Sequence, residues 1–597
     1  SMYAEFNEGS PATANNLLDD VWPSRGFALA KLDWPLTWTE DPYNDAYWRF
    51  FFYGLQPEAT LLYEWEQTRD RRYVDKLVAI LRSFVAYDVT RPAQPLTFDN
   101  NHAAAYRAME LVNMYVKLDR DGQLPSDLRA GMLASLARLG RFLADPKHYE
   151  GGVNHGFNEG AALLVLADSF PTMAGATSWR QTAIDRLNSL LDTTIDGDGV
   201  EVENSPFYHV YVLGIVYQIA QWAKQYEPAL APSYGAAAQK MLRFAADITQ
   251  PSGYLPMLGA TATTYMPSQD PTVYGPMADA DPAFAFAYTR GASGTPPPDG
   301  TVLFPASGLF VMRSPLVRPS NLSHQTYVTF DAGPYRTEHS DLDALGITIF
   351  SGQATVLPEA GLFTYTQQPE REFFHGTSAH NTVVVDGKDQ AEGSATAGAS
   401  GSGGGATWAT GTSDLYTGVH HARTVVVLRQ DLALVIDRLT SAASHTYTQT
   451  WHLDPAAVLS TSGQNALVRT AAGKAQLTIT QASPSGETLA TMKGQTTPRL
   501  QGWYSKSYGR ESPDWALEYT RRGPAATFAT LLATGAYAAA ASATVSSTAL
   551  AGGATAVNAC VDGTTGYGVT VPADPTAQPT VVGGACASGA RSSVRSP

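Results

Sequence analysis

The stretch PEATLLYEWEQTRDRRYVDKLVAILRSFVAYD, residues 57–88, decides the fold class of the first half of this chain. Its apolar residues recur at three- and four-residue spacing on both sides of the polar turn TRDRR at 68–72. That spacing puts the apolar side chains on one face of each of two helices joined by the turn. The stretch therefore predicts a helix hairpin.

Amphipathic stretches of the same kind recur through the first half of the chain. They lie at 102–118, 126–144, 157–169, 179–192, 206–226 and 233–248. Helix hairpins repeated over such a length are typical of a helical toroid or a solenoid. The first half is therefore predicted to be all-helical.

The composition changes at GASGTPPPDGTVLFPASG, residues 291–308, which suits an interdomain connection. Alternating or β-branched segments follow it, such as NTVVVDG at 381–387 and RTVVVLRQDLALVIDRL at 423–439. They predict an antiparallel β-sandwich. The Gly- and Ser-rich segment 393–406 has side chains too small to pack and is predicted to form a surface loop. The expected fold class is multidomain α+β, with a helical domain at 1–295 and a β-sandwich domain at 296–597.

Length and composition limit the classes of protein. The 597 residues are 44% apolar and 16% charged, as expected of a soluble protein with two or more domains. A net charge of −15 argues against a nucleic-acid or anionic-membrane partner. No apolar run approaches the roughly 18 residues that span a bilayer.

Two further features bear on localisation. The opening residues SMYAEFNEGS have neither a basic nor an apolar leader region, which fits a mature exported chain and also a cytoplasmic one. The only cysteines, Cys560 and Cys586, are compatible with a disulfide in an exported protein and with two buried thiols. These alternatives stay open at this point.

SPFYHVYVLG, residues 205–214, is predicted to begin a helix whose first turn carries candidate catalytic side chains. Ser205 is a predicted N-cap and Pro206 the first helical residue. The partial positive charge of a helix N-terminus favours a phenolate, which makes Tyr208 a candidate for proton transfer. His209 is a candidate to orient it or to contact substrate.

GGVNHGFNEGAALLVLA, residues 151–167, delivers Asn154 and His155 into an apolar helix. Asn158 and Glu159 follow one turn later on the same faces. Unpaired burial costs about 1–3 kcal/mol per polar group. This quartet must therefore be hydrogen-bonded or directed at a ligand.

NNHAAAYR, residues 100–107, contributes Asn101, His102 and Arg107. An arginine beside such a pair suits a carboxylate or a sulfate, although it also suits a structural ion pair. This cluster is a candidate sugar-binding site.

The second half contains a candidate metal site. His339, Asp341 and Asp343 alternate, so in an extended segment they would share one face. With Glu359 and His380, Asp341 would supply two oxygen ligands and one nitrogen ligand, a set acceptable to zinc.

Taken together and in this order, these stretches resemble the heparinase II/III-like polysaccharide lyases, and most of all the heparinase III branch. The resemblance covers nearly the whole chain. Its main motifs are VNHGFNEG at 153–160, VEVENSPFYHVYVLG at 200–214, HSDLDALGITIFSGQATVLPEAGLFTY at 339–365 and GTSAHNTVVVDGKDQ at 376–390.

The resemblance implies an incomplete N-terminal (α/α) toroid, an antiparallel β-sandwich and an active site in the cleft between them. It implies β-elimination on a uronate-containing polysaccharide, in which Asn154 neutralises the uronate carboxylate while Tyr208 and His339 transfer protons. The candidate substrate-binding residues are Asn101, His102, Arg107, His155, Glu159, Glu203 and His209. Of these, the resemblance itself implies His102, Arg107 and His155.

No cofactor is expected for the chemistry, and a metal would be structural. The family often has a second histidine where this chain has Asp341. Asp341, Glu359 and His380 remain the predicted ligands of zinc or another divalent cation.

The expected substrate is an anionic polysaccharide, either a glycosaminoglycan of the heparan sulfate, heparosan or hyaluronan type or, alternatively, alginate. Two rival functions are a toroid-fold glycoside hydrolase, with Glu201, Glu203 or Asp99 as paired carboxylates, and a non-catalytic polysaccharide-binding protein. The protein is expected to be secreted or periplasmic, a monomer or a homodimer, without nucleic-acid or membrane partners.

Overall fold

The computed structural model describes residues 11–24, 27–90, 100–152, 154–337, 339–539 and 543–586. Within these ranges, no helix has both the length and the apolar character needed to cross a membrane. The chain divides into two compact units. The first comprises the residues up to Ile195 with Tyr211–Gln239 and Asp270–Pro276, and the second comprises Asp196–Val210, Lys240–Gln269 and the chain from Met277. The units interleave along the sequence, and the division at 295/296 stays a prediction.

The helices lie mainly in the first half of the chain. They are α1 (Pro11–Leu18), α2 (Ala46–Tyr53), α3 (Ala59–Thr68), α4 (Arg71–Thr90), α5 (Asn101–Arg120), α6 (Ser126–Ala144), α7 (Asn154–Ser169), α8 (Ala176–Thr194), α9 (Pro206–Tyr226), α10 (Ala231–Ile248), α11 (Pro271–Ala280), α12 (Pro282–Tyr288) and α13 (Pro369–His375).

The predicted hairpin at 57–88 is confirmed as α3 and α4. Arg69 ends α3 in the left-handed conformation, with φ at 57°. Asp70 Oδ1 then accepts the Arg72 backbone N–H at 3.0 Å, which caps the next helix. On α4 the residues at helical spacing, such as Leu77 and Leu81, are fully buried. Periodicity and turn chemistry agree, as expected of a locally consistent sequence.

Helix α7 is the most deeply buried helix that bears candidate site residues. Nearly every residue from Asn154 to Ala167 is inaccessible to solvent, and α7 packs on α5 and α8. Gly160 allows the approach of α8, because a Cβ at this position would lie 2.8 Å from Leu187 Cδ2. A helix that is apolar on all sides must be buried. The polar residues in the first turns of α7 therefore lie inside the first unit.

The strands dominate the second half of the chain. They are β1 (Val21–Trp22), β2 (Ala30–Lys31), β3 (Gly300–Phe304), β4 (Leu309–Arg313), β5 (Tyr327–Asp331), β6 (Ile347–Ser351), β7 (Ala354–Leu357), β8 (Val383–Val385), β9 (Thr396–Gly403), β10 (Ala406–Tyr416), β11 (Val419–Arg429), β12 (Leu432–His452), β13 (Val458–Ser462), β14 (Asn465–Arg469), β15 (Ala475–Gln481), β16 (Thr488–Lys493), β17 (Trp503–Ser507), β18 (Arg510–Pro513), β19 (Trp515–Thr534), β20 (Thr544–Ala549), β21 (Thr555–Cys560), β22 (Thr565–Val571) and β23 (Thr580–Ala585).

Three antiparallel sheets build most of the second unit. The largest has the order β13-β14-β15-β19-β12-β11-β10-β9, with β16 also paired to β19 and β8 to β12. The others are the meanders β3-β4-β5-β6-β7 and β20-β21-β22-β23. Side chains from the large sheet and the five-stranded sheet, such as Val435, Phe528, Phe330 and Ile347, share one buried core. The predicted order, a helical region followed by packed antiparallel sheets, is confirmed.

The predicted surface loop at 393–406 is wrong, because most of it is the edge strand β9. The small residues are needed there. A Cβ at Gly401 would lie 3.2 Å from the indole of Trp408, which lies across the strand and donates its Nε1–H to Gln578 Oε1 at 2.7 Å. Glycine in this strand thus makes room for a neighbouring aromatic ring.

Cys560 and Cys586 form a disulfide. It joins the end of β21 to the residue that follows β23, and so ties together the C-terminal four-stranded sheet. Of the two alternatives left open by the sequence, the structure has the bridged one.

Candidate active site

Tyr208 lies in the first turn of α9, as the sequence predicts. The helix begins at Pro206, and the Tyr208 backbone N–H donates to Ser205 Oγ at 3.4 Å. Ser205 Oγ also pairs with Thr261 Oγ1 at 2.9 Å, which ties the cap to the segment after α10. The N-cap prediction is confirmed, and the phenol is placed near the positive end of the helix dipole.

The phenol ring of Tyr208 lies flat against the imidazole of His339. The ring centroids are 4.4 Å apart and the ring planes differ by 8°. The Tyr208 hydroxyl shares a hydrogen bond with Tyr365 Oη at 2.8 Å, and His339 Nδ1 is hydrogen-bonded to the Glu203 carboxylate. These four residues form what we call the tyrosine–histidine cluster, which lies wholly in the second unit.

The backbone segments that carry this cluster meet at Gly259, whose φ is +60°. A Cβ at this position would lie 2.6 Å from Asn204 O and 2.7 Å from His339 O. The Ala260 N–H donates to His339 O at 2.7 Å, and Asn204 Nδ2 donates to Ser340 Oγ at 3.1 Å. Only glycine tolerates both the left-handed backbone and this approach, so Gly259 helps to position the imidazole.

Burial controls the ionisation of the groups around the cluster. It raises the pKa of Tyr365 to about 12, against the opposing effect of the hydrogen bond with Tyr208. Burial, and then the charge of Glu203, raise the pKa of Glu201 well above its ordinary range. At neutral pH, Tyr365 is therefore a phenol, and burial favours the uncharged form of Glu201.

A second polar group lies in the first unit, at the head of α7. Asn154 is the first residue of the helix and is buried. His155 Nδ1 is hydrogen-bonded to Glu150, and its ring centroid is 4.0 Å from that of His102. Asn158 Nδ2 approaches His102 Nε2 at 2.8 Å, and burial followed by the proximity of His155 keeps the pKa of His102 well below its usual value. His102 is therefore neutral and accepts the amide hydrogen.

Glu159 is occupied by structural hydrogen bonds. Its Oε1 accepts from Asn101 Nδ2 at 3.1 Å, and its Oε2 accepts from the Glu150 backbone N–H at 3.1 Å. Burial raises the pKa of Glu159 to about 7. Glu159 and the Asn101 amide therefore brace the start of α7 and α5, which argues against the predicted contact of Glu159 with substrate.

The structure also argues against substrate contact by His209. The side chain is buried, its Nδ1 accepts the Glu201 N–H at 3.3 Å, and its Nε2–H donates to Met241 O at 2.9 Å. Burial lowers its pKa to about 4, so the ring is neutral. With both nitrogens paired inside the fold, His209 is a packing residue of α9.

Arg107 and Glu203, which are predicted substrate ligands, are likewise buried, and their predicted roles stay predictions. Arg107 Nη1 donates to Tyr53 O at 2.9 Å. Glu203 faces His339. Both side chains are thus nearly inaccessible to solvent in this conformation.

The candidate metal site contains Asp343 where the sequence predicts Asp341. Ligand atoms of Asp343, Glu359 and His380 lie within 4.8 Å of one another. His380 Nδ1 is hydrogen-bonded to Glu359, whereas its buried Nε2 has no partner among the described residues. Burial raises the pKa of the Asp341 carboxyl to about 7, against the opposing electrostatic effect of nearby His380. Two buried carboxyl groups and an imidazole nitrogen without a partner fit a divalent cation such as zinc.

Sequence reasoning missed two residues of these groups, Tyr365 and Glu150. Tyr365 is the last residue of the quoted motif 339–365, and Glu150 directly precedes the Gly-rich turn before α7. One is an aromatic residue inside a recognised motif and the other is a charged residue beside one. That position was the signal available in the sequence. Asp99, a candidate for the rival hydrolase, lies outside the described residues.

Two family models match this chain. The model described as Heparinase II/III N-terminus matches residues 7–269, and the model described as Heparinase II/III-like, C-terminal, matches residues 296–542. The heparin-sulfate lyase of Pedobacter heparinus is 25% identical over 315 residues, 51% of this chain and 47% of that protein. The heparin-sulfate lyase of Bacteroides stercoris is 24% identical over 254 residues, 41% of this chain and 37% of that protein. The matched regions thus span less than half the length of these relatives.

Solved structures resemble this chain over almost its whole length. The crystal structure of heparinase III has a TM-score of 0.78 at 15% identity, covering 97% of this chain and 91% of that one. The heparan sulfate lyase of Pedobacter heparinus has a TM-score of 0.74 at 19% identity, covering 96% and 90%. At these identities the likeness is one of fold.

Proposed function

The chain belongs to the heparinase II/III-like family, and on this basis we propose that it is a polysaccharide lyase acting on a heparan-sulfate-type glycosaminoglycan by β-elimination. The observation that carries the proposal is the stack of Tyr208 on His339, with the phenol and the imidazole held for proton transfer. The substrate class is supported by the heparin-sulfate lyases that this chain resembles.

The reaction explains why these residue types are needed. The C5 proton of a uronate is only weakly acidic, because its removal adds a second negative charge beside the carboxylate. In the proposed mechanism, hydrogen bonds from Asn154, helped by His155, stabilise the enolate-like intermediate. Donors of this kind are typically worth about 3–4 kcal/mol each.

Proton transfer is assigned to the tyrosine–histidine cluster. His339 removes the C5 proton when proton and leaving group are anti, and Tyr208 protonates the departing C4 oxygen. When they are syn, Tyr208 serves as both base and acid. The product is an unsaturated uronate at a new non-reducing end.

The rival hydrolase is poorly supported by the candidate carboxyls that the structure describes. Glu201 and Glu203 are both buried, and Glu201 Oε2 accepts the Glu203 backbone N–H at 3.0 Å. A glycosidase needs two carboxyl groups that flank an accessible glycosidic bond. The side chains of Glu201 and Glu203 are instead buried in the protein interior.

The proposal is tested by incubating the protein with heparan sulfate, heparosan, hyaluronan, chondroitin and alginate. The ultraviolet absorbance of the unsaturated product and the product size are followed together. We expect absorbance to rise with heparan sulfate or heparosan. A rise with alginate alone would make the alginate alternative correct, whereas shortened chains without absorbance would indicate a hydrolase.

The metal belongs to the proposal as a structural group. Asp343, Glu359 and His380 would hold a divalent cation, whose charge would offset that of buried carboxylates. Burial raises the pKa of Glu359 to about 8, so without a cation it tends to remain protonated. Elemental analysis of the purified protein is expected to find zinc or another divalent ion in the wild type and less in Asp343→Asn.

A secreted or periplasmic location completes the proposal. The Cys560–Cys586 disulfide supports it, because disulfides persist in oxidising compartments. Fractionation of the native host, with thiol labelling of each fraction, would test it. A cytoplasmic protein with free thiols would contradict it. Whether the protein is a monomer or a homodimer stays a prediction.

A further inference from the structure

Glu203 is a buried acidic side chain directed at one nitrogen of His339. Its Oε2 is hydrogen-bonded to His339 Nδ1, and its side chain is 1% exposed against 15% for the histidine. A buried carboxylate needs a paired donor, because an unpaired buried charge is strongly unfavourable. His339 is a titratable side chain that pairs with Glu203 through its ring.

The position of this bond decides which nitrogen of His339 can take a proton. A neutral imidazole carries a single N–H, and an ionised carboxylate can only accept a hydrogen bond. The N–H must therefore lie on Nδ1, which leaves the lone pair on Nε2. Within the part of the chain that the structure describes, no side chain is hydrogen-bonded to Nε2, which keeps the lone pair available.

Glu203 is itself held in place. Its backbone N–H donates to Glu201 Oε2 at 3.0 Å. Burial, and then the charge of Glu203, raise the pKa of Glu201 well above its ordinary range. The Glu201 carboxyl thus anchors the Glu203 backbone, and the Glu203 carboxyl faces His339.

The Tyr208 ring restricts the imidazole from a second direction. Because the two rings are nearly parallel, partial rotation of His339 about its ring torsion would break the stack, and a half-turn, which restores the ring plane, would break the bond to Glu203. Ring orientation and tautomer are therefore set jointly.

We propose that Glu203 is a positioning residue that holds His339 in the Nδ1–H tautomer and presents Nε2 as the proton acceptor of the lyase reaction. The inference rests on the proposed function. Nε2 takes the C5 proton, the electron pair released forms the C4–C5 double bond, and the C4–O bond breaks. The Tyr208 hydroxyl gives its proton to the leaving oxygen. Solvent then removes the proton from His339 and returns one to the phenolate.

The test is a comparison of Glu203→Gln with Glu487→Gln. Glu487 is a buried carboxyl of the same unit, outside the cluster, and burial raises its pKa to about 7. Histidine is labelled with ¹⁵N, and His339 is assigned among the 12 histidines with a His339→Gln variant. Two-bond ¹H–¹⁵N spectra, recorded at a pH where His339 is neutral, then report which nitrogen carries the proton.

The wild type and Glu487→Gln are expected to show the Nδ1–H tautomer and equal kcat. Glu203→Gln is expected to shift His339 towards the Nε2–H tautomer and to lower kcat about 10- to 100-fold with KM nearly unchanged, as for other residues that orient a functional histidine. Glu203→Asp keeps a carboxylate, so it should retain the Nδ1–H tautomer and a kcat between those of the wild type and Glu203→Gln. If Glu203→Gln does not fold, the tautomer and kcat of Glu203→Asp test the inference instead.

Two results would overturn the inference: an Nε2–H tautomer in the wild type, or an unchanged spectrum in folded Glu203→Gln. The spectrum needs no substrate. A wild type with the Nδ1–H tautomer that cleaves none of the polysaccharides would therefore refute the proposed function and leave the role of Glu203 in place.

Discussion

Replacing Tyr208 by phenylalanine removes one oxygen atom and leaves the ring. The stack on His339, with centroids 4.4 Å apart, should therefore survive. The substitution removes the 2.8 Å hydrogen bond to Tyr365 Oη, and a hydrogen bond between neutral groups contributes about 0.5–1.5 kcal/mol to stability. We expect the free energy of unfolding to fall by no more than about 1.5 kcal/mol.

The effect on catalysis should be much larger. Loss of a general acid typically lowers the rate about 10²- to 10⁴-fold, which corresponds to roughly 3–5 kcal/mol of activation free energy. We expect that decrease in kcat, with KM nearly unchanged, measured as the initial rate of absorbance increase on the best substrate. Tyr217→Phe is the matched control. It lies on the same helix, where its hydroxyl donates to Pro276 O at 3.3 Å, and should keep wild-type kinetics. A folded Tyr208→Phe with wild-type kcat would refute the assignment of Tyr208 as the acid.

Three further predictions test other parts of the site and fold. Gly259→Ala should destabilise the protein by at least about 1–2 kcal/mol, from the left-handed backbone alone, and should lower kcat. Thermal unfolding and kinetics equal to those of the wild type would contradict the close approach. Asn154→Asp places a negative charge where the uronate carboxylate is proposed to bind, so kcat/KM should fall at least about 100-fold; an active variant would exclude that role. Burial raises the pKa of Glu58 from 4.5 to about 7, so the folded state holds this proton more tightly than the unfolded chain. Its contribution to stability is full below the unfolded pKa and declines as pH rises through the folded value. Between about pH 5 and pH 8, the free energy of unfolding from urea melts should therefore fall less for Glu58→Gln than for the wild type. Parallel curves of this free energy against pH would count against this explanation.

The local structure of α9 could be predicted because its causes are local. Ser205 accepts the Tyr208 N–H, and Pro206 begins α9 with a backbone angle suited to a helix. The hairpin of α3 and α4 was likewise evident from its spacing and its turn. Such features depend on contacts within a few residues, which the sequence displays directly.

The candidate metal site shows the limit of local reasoning. Alternation puts Asp341 and Asp343 on one face only if the segment is extended, but the chain bends there and β6 begins later, at Ile347. The bend brings the Asp343 carboxyl, rather than that of Asp341, within ligand distance of Glu359 and His380. An alternating pattern outside a strand does not specify a shared face.

By itself, the sequence determined the helical first half, the β-rich second half, the helix cap before Tyr208 and, through its motifs, the family. Only the tertiary structure decided that Glu203 meets His339 across 136 residues of chain and that Tyr208 meets Tyr365 across 157. The reason is physical. Helix periods and caps arise from short-range sterics and hydrogen bonds, whereas these pairs depend on a long chain path and on the close backbone approach at Gly259.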